Sequence, residues 1–224
     1  MDQYLIITAA GSGTRMKNSV PKQFLKIGEK PIVMHTIQKF YNTNTAFQII
    51  LVLSKDQTKF WKNLCKKYNF NIPHVIAYGG SERFYSIKNA LEKVPNNSMV
   101  MIHDAVRPLI SSKLINRIMD IGKYHDATIP VLPIKDSIRK IENELLSISV
   151  NRSGLFSVQT PQYFKSELIK SAYKQKFKST YTDDASVFES LQKNIFCVEG
   201  DELNIKLTTK KDLKIIETFL YKDL

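Results

Sequence analysis

Four short stretches of the chain are almost continuously apolar: Tyr4 to Thr8 (YLIIT), Phe47 to Leu53 (FQIILVL), Met99 to His103 (MVMIH) and Ala127 to Leu132 (ATIPVL). Runs of this length without polar alternation predict strands buried on both faces. Between them the apolar positions recur at helical spacing. Pro31 opens a helix that carries Ile32, Ile37 and Phe40, Asp56 caps one with Phe60, Leu64 and Tyr68, and Ser111 caps one with Leu114, Ile118 and Ile121. Strands alternating with helices predict an α/β fold around a mostly parallel sheet. In such sheets ligands bind beyond the carboxyl ends of the strands. The segments there are polar: AAGSGTRMKNSVPKQ after the first strand, GGSER at Gly79 to Arg83, and HDAVRP at His103 to Pro108. They are expected to converge on one edge.

Ser137 to Val158 breaks the alternation. SIRKIENELLSISV alternates imperfectly around Glu142-Asn143-Glu144 and runs into NRSG without a helical apolar stripe, which predicts a projecting β-arm over residues 136–158. A hairpin buries too little apolar surface to stand alone. The arm is therefore expected to pack on a second copy, giving a homodimer. No repeat, low-complexity linker or composition shift divides residues 1–224, so one domain is expected.

With 43% apolar residues, the 224-residue chain can bury a core of its own. Lys and Arg number 33 against 21 Asp and Glu, a formal charge of +12, which favours anionic partners without choosing among nucleotides, sugar phosphates and nucleic acid. Cys65 and Cys197 are far apart and form no CxxC pair, so neither a zinc site nor a disulfide framework is expected. The apolar run from Tyr4 to Ala10 is too short to span a membrane and lacks a basic leader. A soluble, cytoplasmic protein is expected.

Ala10-Gly11-Ser12-Gly13-Thr14-Arg15 directly follows a strand, and its glycines let backbone N–H groups approach phosphate oxygens. The loop lacks the GK[ST] ending of a P-loop. It also has neither a third glycine at Met16 nor an acidic residue near Lys30, which disfavours a dinucleotide fingerprint. What remains is a glycine loop followed by Arg15 and by Lys22 on a segment stiffened by Pro21. Fixed cations there suit a nucleotidyl transfer, in which negative charge builds on the equatorial and leaving oxygens of the attacked phosphorus. Asp104, at a strand end, is a candidate ligand for Mg²⁺, which commonly takes one or two carboxylates together with substrate phosphates. Arg107 suits either a second phosphate or a local ion pair with Asp104.

The segments AAGSGTRM, PKQFL, GGSERFYSI, HDAVRP, KDSIRK, VNRSGLFSVQTPQ, TDDAS and EGDELNIKLTT occur in one order along nearly the whole chain. In that order the chain resembles the 2-C-methyl-D-erythritol 4-phosphate cytidylyltransferases of the non-mevalonate isoprenoid pathway. The resemblance implies a Rossmann-like nucleotidyltransferase fold, dependence on Mg²⁺, and a homodimer joined by the arm. It further implies that Arg15 and Lys22 stabilise the transition state and that Arg152 and Lys206 position the acceptor phosphate, with Arg152 serving the neighbouring subunit's site. Ala10, Gly11, Gly13, Gly80, Ser86 and Ala105 then fall where the family binds CTP, Asp104 where it holds the metal, Arg107 where it meets the acceptor or the metal-bound phosphate, and Ser137 where it meets the acceptor. Ser137 stands where the family commonly has threonine, keeping the hydroxyl and losing a methyl contact. Asp183 and Asp184 either orient acceptor-site cations or begin a helix capped by Thr182. Two alternatives stay open on the sequence. One is the same reaction on ribitol 5-phosphate, whose enzymes share the glycine loop, PKQF and TPQ. The other is a nucleic-acid-binding protein, raised by the net charge and by KFWKNLCKKY, although those lysines spread around amphipathic segments.

Overall fold

The computed structural model of the chain describes residues 1–11, 20–143 and 146–222. The strands are β1 (Gln3–Thr8), β2 (Lys26–Ile27), β3 (Lys30–Pro31), β4 (Phe47–Leu53), β5 (Val75–Tyr78), β6 (Met99–Asp104), β7 (Ala127–Pro133), β8 (Ile138–Ile141), β9 (Ser147–Val150), β10 (Phe156–Val158), β11 (Gln162–Lys165) and β12 (Phe196–Glu199). The helices are α1 (Ile32–Thr43), α2 (Gln57–Lys67), α3 (Arg83–Leu91), α4 (Ser112–Gly122), α5 (Ser166–Ala172), α6 (Asp184–Phe188) and α7 (Lys210–Lys222).

Among the described residues the main sheet runs β10-β7-β11-β6-β1-β4-β5, with β12 also paired to β7. The run β6-β1-β4-β5 is parallel, as expected of strands joined by crossover helices, and only β10 and β11 pair antiparallel. The four apolar runs are β1, β4, β6 and β7, and the first three are buried over most of their length. Alternation along β1 sends Leu5 and Ile7 into a core with Val33, Ile37, Phe40, Leu114 and Ile118, on the α1 and α4 side. Tyr4 and Ile6 enter a second core with Phe84, Ile87, Ile169 and Phe188, on the side of α3, α5 and α6. With helices on both faces, the strands read as continuous apolar runs because each face meets a core.

The helix starts follow the expected residues, with one shift of face. Pro31 precedes α1, and the Ser111 hydroxyl accepts the Leu114 N–H at 3.2 Å to cap α4. Asp56 holds the cap position of α2 without a side-chain bond. In that helix the core contact is Trp61, 1% exposed, whereas Phe60 is 43% exposed. The indole lies near the Phe24, Phe70 and His74 rings and gives its N–H to His74 Nε2 at 2.9 Å, so the largest ring, not the expected Phe60, decides which face turns inward.

The expected arm resolves into two parts. β8 and β9 form a separate hairpin, with Ile138 opposite Val150 and Ile141 opposite Ser147. Phe156 to Val158 leave it and return to the main sheet as β10 against β7, because their backbone groups find partners there. The hairpin carries exposed apolar residues, among them Ile141, Leu146 and Ile148.

At the end of α4, Gly122 lies flat against the ring of Tyr163: a Cβ there would come within 2.3 Å of Tyr163 Cδ1. Gly122→Ala sets a helix-propensity gain of up to ~1 kcal/mol against an overpacking cost of ~1–3 kcal/mol. Since Tyr163 is itself buried, the clash is expected to win. Urea unfolding should show a lower midpoint for the variant, and an equal or higher midpoint would show that the Tyr163 ring yields freely.

Candidate active site

The carboxyl ends of the parallel strands lie side by side, with Thr8 of β1 opposite both Val52 of β4 and Asp104 of β6. GGSER follows β5, the glycine loop follows β1, and HDAVRP continues from β6. The three polar segments therefore share one edge, with the glycine loop in the middle. Gly13 and Arg15 lie outside the described residues.

On the β5 side, the Gly80 N–H donates to Ser86 Oγ at 3.0 Å, and that hydroxyl donates to the Glu82 carbonyl at 3.1 Å, closing the loop onto α3. A Cβ at Gly80 would stand 2.4 Å from Tyr85 Cβ, and one at Gly79 would stand 2.5 Å from Ala10 Cβ. Gly79, which sequence reasoning passed over, is therefore what lets this loop close against the strand exit. Beside it, Gly11 is exposed, and a Cβ there would meet nothing within 4 Å among the described residues.

On the other side Asp104 ends β6 with its side chain only 9% exposed. Its Oδ2 pairs with Lys206 Nζ at 2.8 Å and Arg107 Nε at 3.4 Å, while Oδ1 accepts a 3.4 Å bond from Thr8 Oγ1. Burial alone would raise the carboxyl pKa, but Lys206, Arg83 and Arg107 outweigh it and hold the group well below the usual carboxylate range. A charge this buried is stable only because it is paired. Arg107 also donates from Nη1 to the Asn204 carbonyl at 2.7 Å, and Lys22 Nζ reaches the Leu207 carbonyl at 3.2 Å. The segment NIK thus brings Lys206 and Arg107 onto Asp104, and the turn Lys22–Phe24 is tied to its next residue, Leu207.

The backbone of Asp104 is fixed by a chain of hydrogen bonds. Burial pushes the pKa of His103 down to about 3, so its ring is neutral. Nε2 faces the Arg107 carbonyl at 3.2 Å, which can only accept, so the proton sits there and Nδ1 accepts from Thr160 Oγ1 at 3.2 Å. Thr160 Oγ1 in turn accepts the Asp104 N–H at 3.1 Å, and Asn204 Nδ2 donates to the Thr160 carbonyl at 2.7 Å. HDAVRP, TPQ and NIK are one interlocked unit. His103, Thr160 and Asn204 carried no role in the sequence reading, because their partners are 44 to 57 residues away in the chain or are backbone atoms.

A cleft of about 550 Å³ opens over this unit, lined by Arg83, Asp104, Arg107, Gln159, Thr160 and Lys206 among others. Arg83 is clamped by Asp184 through two bonds of 2.8 and 2.6 Å, and Tyr173 adds a third to the same carboxylate at 2.6 Å. Asp184 thus orients a cation at the cleft. Asp183, not Thr182, caps α6: its Oδ1 accepts the Ser186 N–H at 2.9 Å, and a carboxylate bonds to this helix end better than a hydroxyl. Ala105 is fully buried, its N–H given to Thr8 and its carbonyl taken by Thr36, so its side chain and both backbone groups are absorbed beneath the site.

Arg152 and Ser137 are placed apart from this cluster. Both are exposed, on the loops flanking the β8–β9 hairpin, and neither lines the cleft within one chain. Gly154, at φ +78°, and the Leu155 N–H bonded to the Arg152 carbonyl at 3.0 Å shape the Arg152 turn. Among the described residues, no three His, Cys, Asp or Glu gather to hold a metal. Asp104 nonetheless fits Mg²⁺ that takes most of its ligands from phosphates and water, since it is ionised, faces the cleft and keeps acceptor capacity on Oδ1. Among the described residues no helix is long and apolar enough to cross a membrane.

Residues 3–222 match the family model of IspD, 2-C-methyl-D-erythritol 4-phosphate cytidylyltransferase. The enzyme of that name from Bacteroides thetaiotaomicron is 43% identical over 215 residues, covering 96% of this chain and 98% of the relative. The one from Azobacteroides pseudotrichonymphae is 45% identical over 222 residues, covering 97% and 98%. The crystal structure of 4-diphosphocytidyl-2C-methyl-D-erythritol synthase from Anaerococcus prevotii superposes with a TM-score of 0.81 at 28% identity, over 98% of each chain. The chain therefore belongs to the 2-C-methyl-D-erythritol 4-phosphate cytidylyltransferase family.

Proposed function

We propose that the chain, acting as a cytoplasmic homodimer with Mg²⁺, transfers CMP from CTP to 2-C-methyl-D-erythritol 4-phosphate. A phosphate oxygen of the acceptor attacks the α-phosphorus of CTP, the bond from that phosphorus to the bridging oxygen breaks, and pyrophosphate leaves. The observation that carries this reading is the ionised Asp104 at the floor of the cleft, with Lys206 and Arg107 on it and Lys22 bonded to the Leu207 carbonyl next to NIK. Ala10, Gly11 and Gly13 cradle the nucleotide together with Gly80 and Ser86, while Ala105 supports the loop from below. Arg15 and Lys22 face the triphosphate, where charge develops as the leaving oxygens depart. Lys206 and Arg107 screen the acceptor dianion so that it can approach an already anionic partner. Asp104, together with the substrate phosphates, would hold Mg²⁺, which when bound would supply further charge neutralisation.

Arg152 and Ser137 complete the site from the arm of the neighbouring subunit. Three features support this: the hairpin projects with its own apolar residues uncovered, Arg152 is exposed, and neither residue lines the cleft of its own chain. Two strands alone bury too little to be held rigid, whereas a second copy would cover them.

Pyrophosphate release by the purified protein with Mg²⁺ and CTP tests the reaction directly. Release is expected with 2-C-methyl-D-erythritol 4-phosphate and at background level with ribitol 5-phosphate or no acceptor. Release with ribitol 5-phosphate alone would overturn the acceptor, and none with either would overturn the reaction. Lys22→Ala should lower kcat by about 10²- to 10³-fold while CTP binding weakens far less, since a contact made mainly to developing charge appears in kcat. An unchanged kcat would remove Lys22 from the mechanism.

Mixed dimers test the shared site. Lys22→Ala and Arg152→Ala are each expected to be nearly inactive alone. After co-refolding in equal amounts, half the dimers carry one of each, and one site per such dimer has both residues. Activity should then recover to about a quarter of wild type. No recovery would place Arg152 in its own subunit's site, and an Arg152→Ala protein active on its own would remove it from the reaction.

A further inference from the structure

Gln23 lies between two motifs, inside PKQF and against the glycine loop, and its side chain is almost fully buried at 2% exposure. Its Nε2 stands 2.7 Å from the Ala9 carbonyl, 3.0 Å from the Gly11 carbonyl and 3.1 Å from Gln57 Oε1. A primary amide nitrogen carries two hydrogens, enough to serve both carbonyls of the strand exit at once. Leucine or methionine of similar size would have none to give, and glutamate would set a negative oxygen against two carbonyls.

The direction of these bonds matters for what the loop can bind. In a trans peptide the carbonyl and the following N–H point to opposite sides. Holding the Ala9 carbonyl toward Gln23 therefore turns the Ala10 N–H away from Gln23. A free carbonyl facing an anion would repel it, whereas an N–H there attracts it. Gln23 itself is fixed by its neighbours: Phe24 packs on Phe60 and Trp61, and Gln57 opens α2.

We propose that Gln23 is a positioning residue for CTP: its buried amide holds the carbonyls of Ala9 and Gly11 inward, so that the exit of β1 meets the nucleotide with its donors. The inference rests on the nucleotide reading of the glycine loop given above. Because the hydrogen bonds of the Gln23 side chain among the described residues go to the strand exit and Gln57, and to neither Lys206 nor Asp104, it sets the KM for CTP with little effect on the KM for the acceptor. Its effect on kcat is the smaller one.

The test compares wild type with Gln23→Met and Gln23→Glu in steady-state pyrophosphate release, varying CTP and acceptor separately. Trp61, the single tryptophan, packs against Phe24 and reports by its emission whether the local core is intact. In folded Gln23→Met the KM for CTP should rise tenfold or more, with the acceptor KM within about twofold of wild type. In Gln23→Glu the carboxyl faces two carbonyls away from water, which raises its pKa. Lowering the pH from 8 to 6 should then return the hydroxyl donor, so the ratio of its CTP KM to that of wild type should fall. None of the three partners of Gln23 titrates, so the ratio isolates residue 23. A CTP KM equal to wild type in folded Gln23→Met, or a KM ratio for folded Gln23→Glu that does not fall between pH 8 and 6, would overturn the proposal, as would equal losses for CTP and acceptor. A wild-type chain that does not turn over CTP would instead overturn the nucleotide reading on which the proposal rests.

Discussion

A buried carboxylate at the end of a central strand constrains everything around it. Asp104 is largely withdrawn from water at the floor of the cleft, and removing one partner of such a buried pair typically costs about 3–5 kcal/mol, because an uncompensated charge stays behind. Lys206 and Arg107 meet that demand. In doing so they tie NIK, which comes from the far end of the chain, to the edge of the sheet. The neutral His103 ring and Thr160 hold the same residue from behind through its backbone. Charge above and a hydrogen-bonded chain below leave Asp104 one position, and the cations that share it are preorganised before any substrate arrives.

This arrangement explains why the fold places its chemistry at one edge. Parallel strands covered on both sides by helices leave the carboxyl ends as the open face, and the glycine loop, GGSER and HDAVRP all leave from it. A small apolar cluster of Ile27, Ile32, Val106, Leu207 and Ile216 clamps the NIK segment and α7 against the HDAVRP loop. Packing and electrostatics therefore agree on where residues 204 to 207 must lie. The β8–β9 hairpin obeys neither constraint within one chain, which is why its apolar residues stay exposed.

Much of the sheet was legible in the sequence because strands buried on both faces leave a simple signature of short, unbroken apolar runs. Helix starts were legible where a proline or a serine sits at the boundary, as at Pro31 and Ser111. The face of α2 was less so, since Phe60 and Trp61 are adjacent and only the packing of Phe24, Phe70 and His74 decides between them. The extent of the arm was overdrawn, because Phe156 to Val158 read like the preceding strands until β7 offers them partners. In the site, Asp104, Arg107, Lys206 and Lys22 were named by motif; the first three meet in one cluster, and Lys22 bonds to the Leu207 carbonyl beside it. Gln23, Thr160, His103 and Asn204 were not given roles, because amides and hydroxyls acquire their meaning only from distant backbone atoms that a sequence does not reveal.

The dependence of the acceptor cations on Asp104 is tested most directly by a double-mutant cycle on kcat/KM for the acceptor, with Asp104→Asn, Lys206→Met and both together. If Asp104 organises Lys206, the loss in the double variant falls well short of the product of the two single losses, since residues acting as a unit are not additive. A double variant whose loss equals that product would contradict the account, by showing that the two side chains act independently.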